Sequence, residues 1–181
     1  MEIERKFTIQ ALPENLADYE CRHMRQAYLC TEPVVRIRQD NERYYLTYKG
    51  SGLMAREERN LPLTEEAFRH MLPKADGLVI TKDRYVIPIE NAQFDIDFLM
   101  EEEAKKEQPR DRAAVEAELK TLQLSIELDI FSMPRDLIMA EIEFPTVAIA
   151  KAYIPPEWFA EDVTEDRRYH NSNISQGPED F

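Results

Sequence analysis

Residues 1–10 alternate in character, with Glu2, Glu4 and Lys6 on one face of an extended segment and Ile3, Phe7 and Ile9 on the other, where Arg5 is the exception. Strand-like stretches rich in Tyr, Val, Ile, Phe and Thr recur at 34–38, 44–49, 56–63, 79–89, 94–99, 124–131 and 137–144. Helical signals are fewer. Thr64 predicts a capped helix over 65–72, with Glu65 and Glu66 in its first turn and Pro73 beyond its end. Asp111 predicts another over 112–122, where Val115, Leu119 and Leu122 form a helical stripe. Thr146 opens a third through Tyr153, and short helices are expected after Pro13 and around Trp158, behind Pro155 and Pro156. Strands that turn and return with few helices between them predict an α+β fold dominated by an antiparallel sheet. The charge-dense run EEEAKKEQPRDR within 100–123 reads as an excursion from that sheet.

The polar faces carry the chemistry. Taking every second residue gives Glu2, Glu4 and Lys6; Arg36 and Arg38; Lys49 after Thr47; Arg56 and Glu58; Lys82 and Arg84; Glu127 and Asp129; Glu141 and Glu143. Any one such pair is ordinary on a sheet with a face in water. Like charges opposite one another on neighbouring strands are destabilising, however, so segregating basic pairs from acidic pairs needs a reason. A barrel with these faces turned inward supplies one: cationic strands grip phosphate oxygens while acidic strands hold divalent ions that the same oxygens touch. Lumen charges of this kind are expected to contribute function and not core packing.

Composition narrows the partners. The 181 residues fit one domain, and 23 basic against 36 acidic residues leave a net charge of −13, which repels nucleic acid and anionic membranes. A polyanionic ligand would therefore require the scarce Lys and Arg in one enclosed place, together with divalent cations. Hard carboxylate donors suit Mg²⁺ or Mn²⁺. Cys21 and Cys30 form no CxxC pattern and have no nearby histidine set, so both are expected to be reduced structural thiols; His23, His70 and His170 show no ligand spacing. With no apolar run of membrane-spanning length and charge from Glu2 onward, a cytoplasmic location is expected.

The motif at Glu2-Ile3-Glu4-Arg5-Lys6 resembles the ExExK signature of the CYTH, or triphosphate tunnel metalloenzyme, superfamily. It is followed in order by VRIR at Val34, TYKG at Thr47, AREE at Ala55, TKDRY at Thr81, ELDIF at Glu127, AEIEF at Ala140 and EDVTEDRRYHNSN at Glu161. The resemblance spans nearly the whole chain. It implies a closed eight-stranded antiparallel β-barrel with a charged lumen and peripheral helices, formed by one domain over 1–181 with an insertion around 98–124. It also implies that Glu2, Glu4, Glu141 and Glu143 are metal ligands, with Glu58 and Asp129 contributing. Lys6, Arg36, Arg38, Lys49, Arg56, Lys82 and Arg84 would bind the triphosphate, and Arg168, beside Tyr169 and Asn171 in a segment that closes one mouth, would reach it from there. The chain departs from the pattern in two places. Asn60 stands where the family commonly continues its alternation with an acid, and two acidic motifs, FDIDF at Phe94 and ELDIF at Glu127, compete for one strand. ELDIF is the better match, and in the other register Asp97 would replace Asp129.

The implied reaction is metal-dependent hydrolysis of the terminal phosphoanhydride of a small-molecule triphosphate, with inorganic tripolyphosphate preferred. Lys6, Glu4 and Glu141 are the catalytic candidates: a carboxylate to activate water, and the lysine to orient it or neutralise developing charge. The alternatives are cyclisation of ATP to cyclic AMP and pyrophosphate, and a noncatalytic polyphosphate- or nucleotide-binding module. A third reading has the insert docking a partner or forming a homodimer.

Overall fold

The computed structural model describes residues 2–51 and 54–177, together with the side chains of these residues other than 55 and 56. In chain order its strands are β1 (Glu2–Ile9), β2 (Glu20–Thr31), β3 (Val34–Asp40), β4 (Arg43–Lys49), β5 (Ala55–Arg56), β6 (Glu58–Leu63), β7 (Asp76–Ile89), β8 (Gln93–Phe94), β9 (Leu124–Met133), β10 (Leu137–Glu143), β11 (Tyr153–Ile154) and β12 (Phe159–Asp162). Its helices are α1 (Glu65–Met71), α2 (Ile96–Glu103), α3 (Arg112–Thr121), α4 (Val147–Ala152) and α5 (Asn171–Ile174). The fold is α+β, with one large antiparallel sheet and few helices.

The sheet runs in the order β12-β1-β10-β9-β7-β2-β3-β4-β6, which is nine strands where eight were expected, because β12 adds outside β1. The far end of the path turns back toward its start. β6 follows β5 with Glu57 alone between them, and β5 pairs with β1 through Glu2↔Arg56 and Ile3↔Ala55. The central strand β2 is absent from the sequence-based expectation. Its face toward the site carries Met24, Gln26 and Tyr28, and its other face Cys21, His23 and Ala27, so neither side alternates clearly between apolar and polar.

Caps account for the helices. Thr64, Asp111 and Thr146 each accept a hydrogen bond from the backbone N–H three residues on, at 3.1, 2.8 and 3.2 Å, and start α1, α3 and α4 as predicted. Asp95 does the same at 2.9 Å and starts α2, so the stretch 94–99 is mostly helix and not the expected strand. The capping aspartate outweighs the alternation of FDIDF. Around Trp158 the chain forms the approach to β12 in place of a helix, and after Pro13 it makes only a 3-10 turn at Leu16–Asp18.

The core lies on the outer face of the sheet. Leu99 of α2, Val115 of α3 and Ile149 of α4 pack with Phe7, Ile126, Leu128 and Ile142, so the excursion at 98–124 covers the sheet that precedes and follows it. Phe68 of α1 packs on Ala27 and Ile37 of the opposite wall. Apolar side chains thus take the outer face, and the inner one is given to charge except where Tyr28, Val34, Ile80, Phe131 and Met139 form a second apolar cluster. Arg5, the anomaly on the apolar side, donates to the carbonyls of Ala150 and Tyr153 at 2.8 and 2.9 Å and to Asp162 at 2.6 Å, which ties β1 to the end of α4 and to β12. None of the described helices is long and apolar enough to cross a membrane.

Candidate active site

Alternation delivers the charged pairs into one cavity. Glu2, Glu4, Lys6, Arg36, Arg38, Lys49, Glu58, Arg84, Glu141 and Glu143 all line it, as the sequence predicts for these ten. Acids dominate the neighbouring strands β1, β10 and β9, where Glu4 stands opposite Glu143 and Glu141 opposite Glu127. Cations come from β7, β3 and β4.

Two cations stitch the acidic wall. Lys6 Nζ lies 2.5 Å from Glu141 Oε1 and 3.0 Å from Glu4 Oε1. Burial disfavours the Lys6 ammonium, but Glu141 and Glu4 outweigh it and hold its pKa above the ordinary lysine value. Arg84 donates to Glu141 Oε2 at 2.7 Å, to both oxygens of Asp129 at 2.6 Å, and to Glu127. Burial likewise opposes the charge on Glu141, and Lys6, Lys82 and Arg84 overcome it, leaving the carboxyl well below its usual range. Lys6 is therefore a structural tie as well as a charge in the cavity, contrary to the expectation that lumen charges leave packing untouched.

On the other side, Lys49 donates to both oxygens of Glu2 at 2.7 Å and lies 2.6 Å from Glu58 Oε2. Asn60 supplies geometry in place of charge. Its amide donates to Glu58 at 2.5 Å while its oxygen accepts from Thr47, whose hydroxyl oxygen in turn accepts from Arg36 at 3.1 Å. Against the effect of burial, Lys49 and the bonds from Glu2 and Asn60 bring Glu58 down to about 2, whereas burial and the Glu4 charge raise Glu2. The basic wall is not neutralised in the same way. Burial, Arg36 and Arg84 all press on the charge of Arg38, whose Nε donates to the neutral Gln26 at 2.9 Å, and the buried Nε of Arg36 has no hydrogen-bond partner. An arginine does not shed its proton under such pressure; it favours an anion.

Three expected site residues fall elsewhere. Lys82 and Asp129 are fully buried behind the cavity wall, paired with each other, with the Lys82 ammonium 4.8 Å from the centre of the Phe131 ring. Burial pushes Lys82 down to about 8 despite Asp129. Arg168 is exposed and donates to Asp166 at 2.6 Å, away from the cavity, because the 3-10 turn over Arg167–Tyr169 directs it outward. Its segment still reaches the site through His170, Asn171 and Ser172, which line the cavity. The side chain of Arg56 lies outside the described residues. Asp97 is exposed and pairs with Arg112 at 2.9 Å, so ELDIF, not FDIDF, supplies the inner acidic strand. Tyr28, Val34, Glu127 and Ile142 also line the cavity; Tyr28 could not be expected there because β2 was not.

The C-terminal segment is held by close packing. Leu78 N donates to Ser175 O at 2.6 Å, and Gly77, at φ +75°, leaves room for that carbonyl, which a Cβ would meet at 2.4 Å. Ile174 packs with Tyr28, Val34, Ile80, Phe131 and Met139. His170 Nε2 donates to the Thr164 carbonyl at 3.2 Å, which commits that nitrogen; most of the cavity's metal-type donors are carboxylates.

That donor set fits a hard divalent cation. Glu143 makes the case most directly: burial, Glu127, Glu58 and Glu4 raise its pKa, in that order, so it feels three carboxylates whose repulsion a cation would relieve. No three of the described cavity carboxylates present oxygens within 4.8 Å of one another. Taken together, the fold and cavity define a sheet protein in which a basic wall and an acidic wall meet in one cavity.

The chain belongs to the CYTH domain family, which it matches over residues 1–132. It is 29% identical to an inorganic triphosphatase of Nitrosomonas europaea, across 96% of each chain. It is also 29% identical to an inorganic triphosphatase of Acetivibrio thermocellus, over 98% of this chain and 94% of that one. A solved crystal structure of an inorganic triphosphatase superposes with a TM-score of 0.58 at 27% identity, covering 98% of this chain and 96% of the other.

Proposed function

We propose that the chain is a metal-dependent triphosphatase that hydrolyses the terminal phosphoanhydride of inorganic tripolyphosphate inside a closed tunnel. The observation that carries this reading is the junction of a basic wall that favours an anion, Arg36 and Arg38, with an acidic wall that favours a cation, centred on Glu143. Pairing of the 55–63 segment with β1 at one end and β4 at the other supports closure of the sheet into a ring. The 98–124 insertion belongs to the same single domain, since its helices complete the host core.

Glu2, Glu4, Glu58 and Glu143 would hold Mg²⁺ or Mn²⁺, with Glu141 behind them; such ions supply charge neutralisation at phosphate oxygens and activation of water. Arg36, Arg38 and Lys49 bind and align the triphosphate, and Arg84 fixes the acids that face it. Because phosphoryl transfer has a loose transition state, alignment and charge account for most of the rate. Water attacks the terminal phosphorus, the bridging P–O bond breaks toward pyrophosphate, and Glu4 takes the proton of the attacking water. Lys6, 3.0 Å from Glu4, steadies the carboxylate and neutralises charge that develops beside it. Lys82 and Asp129 act through Arg84 by fixing its guanidinium.

Resolving the products separates this reading from its rivals. Incubation with tripolyphosphate is expected to yield orthophosphate and pyrophosphate, and incubation with ATP to yield no cyclic nucleotide. Cyclic AMP with pyrophosphate would select a cyclase; triphosphate bound without turnover, with or without metal, would select a binding module.

A further inference from the structure

We propose that Cys21, His23 and Asp83 form a zinc site on the outer face of the sheet, on the side opposite the cavity. The three present a sulfur, a ring nitrogen and a carboxylate oxygen within 4.8 Å of one another, and they are the one such group of three among the described residues. The register makes the cluster. Cys21 and His23 lie two apart on β2 and share a face, and the β2–β7 ladder sets His23 directly opposite Asp83 and Cys21 opposite Tyr85. The sequence alone does not reveal the group: His23 lies only two residues from Cys21, but the third donor, Asp83, is 60 residues beyond His23.

Several contacts prepare the group. His23 Nδ1 already lies 2.6 Å from Asp83 Oδ1. The backbone of His23 is fixed on both sides by the turn after β3: its N–H donates to Asn41 Oδ1 at 2.9 Å, and its carbonyl accepts from Asn41 N at 2.9 Å. Asn41 adopts φ +50°, a conformation that asparagine tolerates and that aims its side chain back at β2.

The chemistry favours zinc over the ions of the cavity. Tetrahedral Zn²⁺ takes S, N and O donors at about 2.0–2.3 Å, which puts neighbouring ligand atoms about 3.3–3.8 Å apart. The donors of the cluster, all within 4.8 Å of one another, lie near that spacing. Mg²⁺ and Mn²⁺, which prefer oxygen, have little affinity for a thiolate and an imidazole. On binding, the Cys21 thiol releases its proton to solvent and His23 binds neutral. The thiolate and Asp83 then balance the charge of the ion, and water fills the fourth position. Because the ligands come from β2 and β7, the ion cross-links two central strands.

Titration with Co²⁺ as a spectroscopic substitute for zinc, in the presence of saturating Mg²⁺, tests the proposal. One equivalent is expected to give a sulfur-to-metal charge-transfer band together with tetrahedral visible bands, and one equivalent of Zn²⁺ is expected to displace it. C21A is expected to abolish the band and H23A to weaken Co²⁺ affinity by at least about tenfold. C30A, which removes the other thiol, and E143Q, which weakens the cavity's hold on cations, are expected to leave the band intact. A wild-type protein without the band, a band that survives in C21A, or one lost in C30A would overturn the site.

Discussion

Lys6 and Glu141, 135 residues apart in the chain, meet at 2.5 Å inside the cavity and join the first strand to the tenth. Both are almost fully buried, so the contact belongs to the fold and to the chemistry at once. Removing one partner of a buried pair costs about 3–5 kcal/mol, because the other charge is left without compensation. Arg84 still holds Glu141 at 2.7 Å in the variant, so Lys6→Ala is expected to lower the unfolding free energy by less than that, and to lower turnover as well. Denaturant unfolding measured beside activity checks both, and a variant as stable as the parent would contradict the tie.

Glu143 should behave in the opposite way. It is exposed and faces other acids, and Glu143→Gln removes a repulsion. Its unfolding midpoint is expected to hold or rise, while the metal concentration for half-maximal turnover rises by at least about tenfold. Metal titrations of the rate measure this; an unchanged metal requirement would remove Glu143 from the metal-holding set.

Arg36 donates to Thr47 and carries a buried Nε without a partner. A bond from a charged donor to phosphate contributes about 1.5–3 kcal/mol, or about 10–100-fold in affinity. Arg36→Gln is expected to weaken tripolyphosphate binding by that factor, as calorimetry would read it. Arg168→Gln, which alters a side chain outside the cavity, is expected to leave binding unchanged.

The clip between Arg5 and Asp162 gives a pH signature. Although burial opposes the charge, bonds from Thr164 and Arg5 depress the Asp162 pKa, so its contribution to stability is present above the unfolded value of about 3.9 and is lost as pH falls through the folded one. Discounted for its exposure, the contribution is about 1 kcal/mol or less. The unfolding midpoint of Asp162→Asn is expected to lie below the parent's at pH 7, with the difference closing below about pH 4. A difference that persists in acid would assign the loss to packing.

Much of this was legible in the sequence, for identifiable reasons. Charged pairs at i and i+2 survive as neighbours on one face, which is why ten of the expected side chains line the cavity. Thr64, Asp111 and Thr146 announce their helices because a cap is a local contact. β2 escaped notice because both of its faces mix apolar and polar residues, which leaves no apolar alternation to read. FDIDF was misread as a strand because its first aspartate caps a helix while its apolar residues still alternate. The turn that swings Arg168 outward and brings in His170 and Asn171, and the register that joins Cys21 to Asp83, depend on long-range pairing that no local pattern reports.

The most direct measurement is orthophosphate release from tripolyphosphate by the purified protein, with Mg²⁺ or Mn²⁺ and again with excess chelator. Release that requires the metal and exceeds release from ATP is the expected result. Equal release with chelator present, or none under any condition, would contradict a metal-dependent triphosphatase.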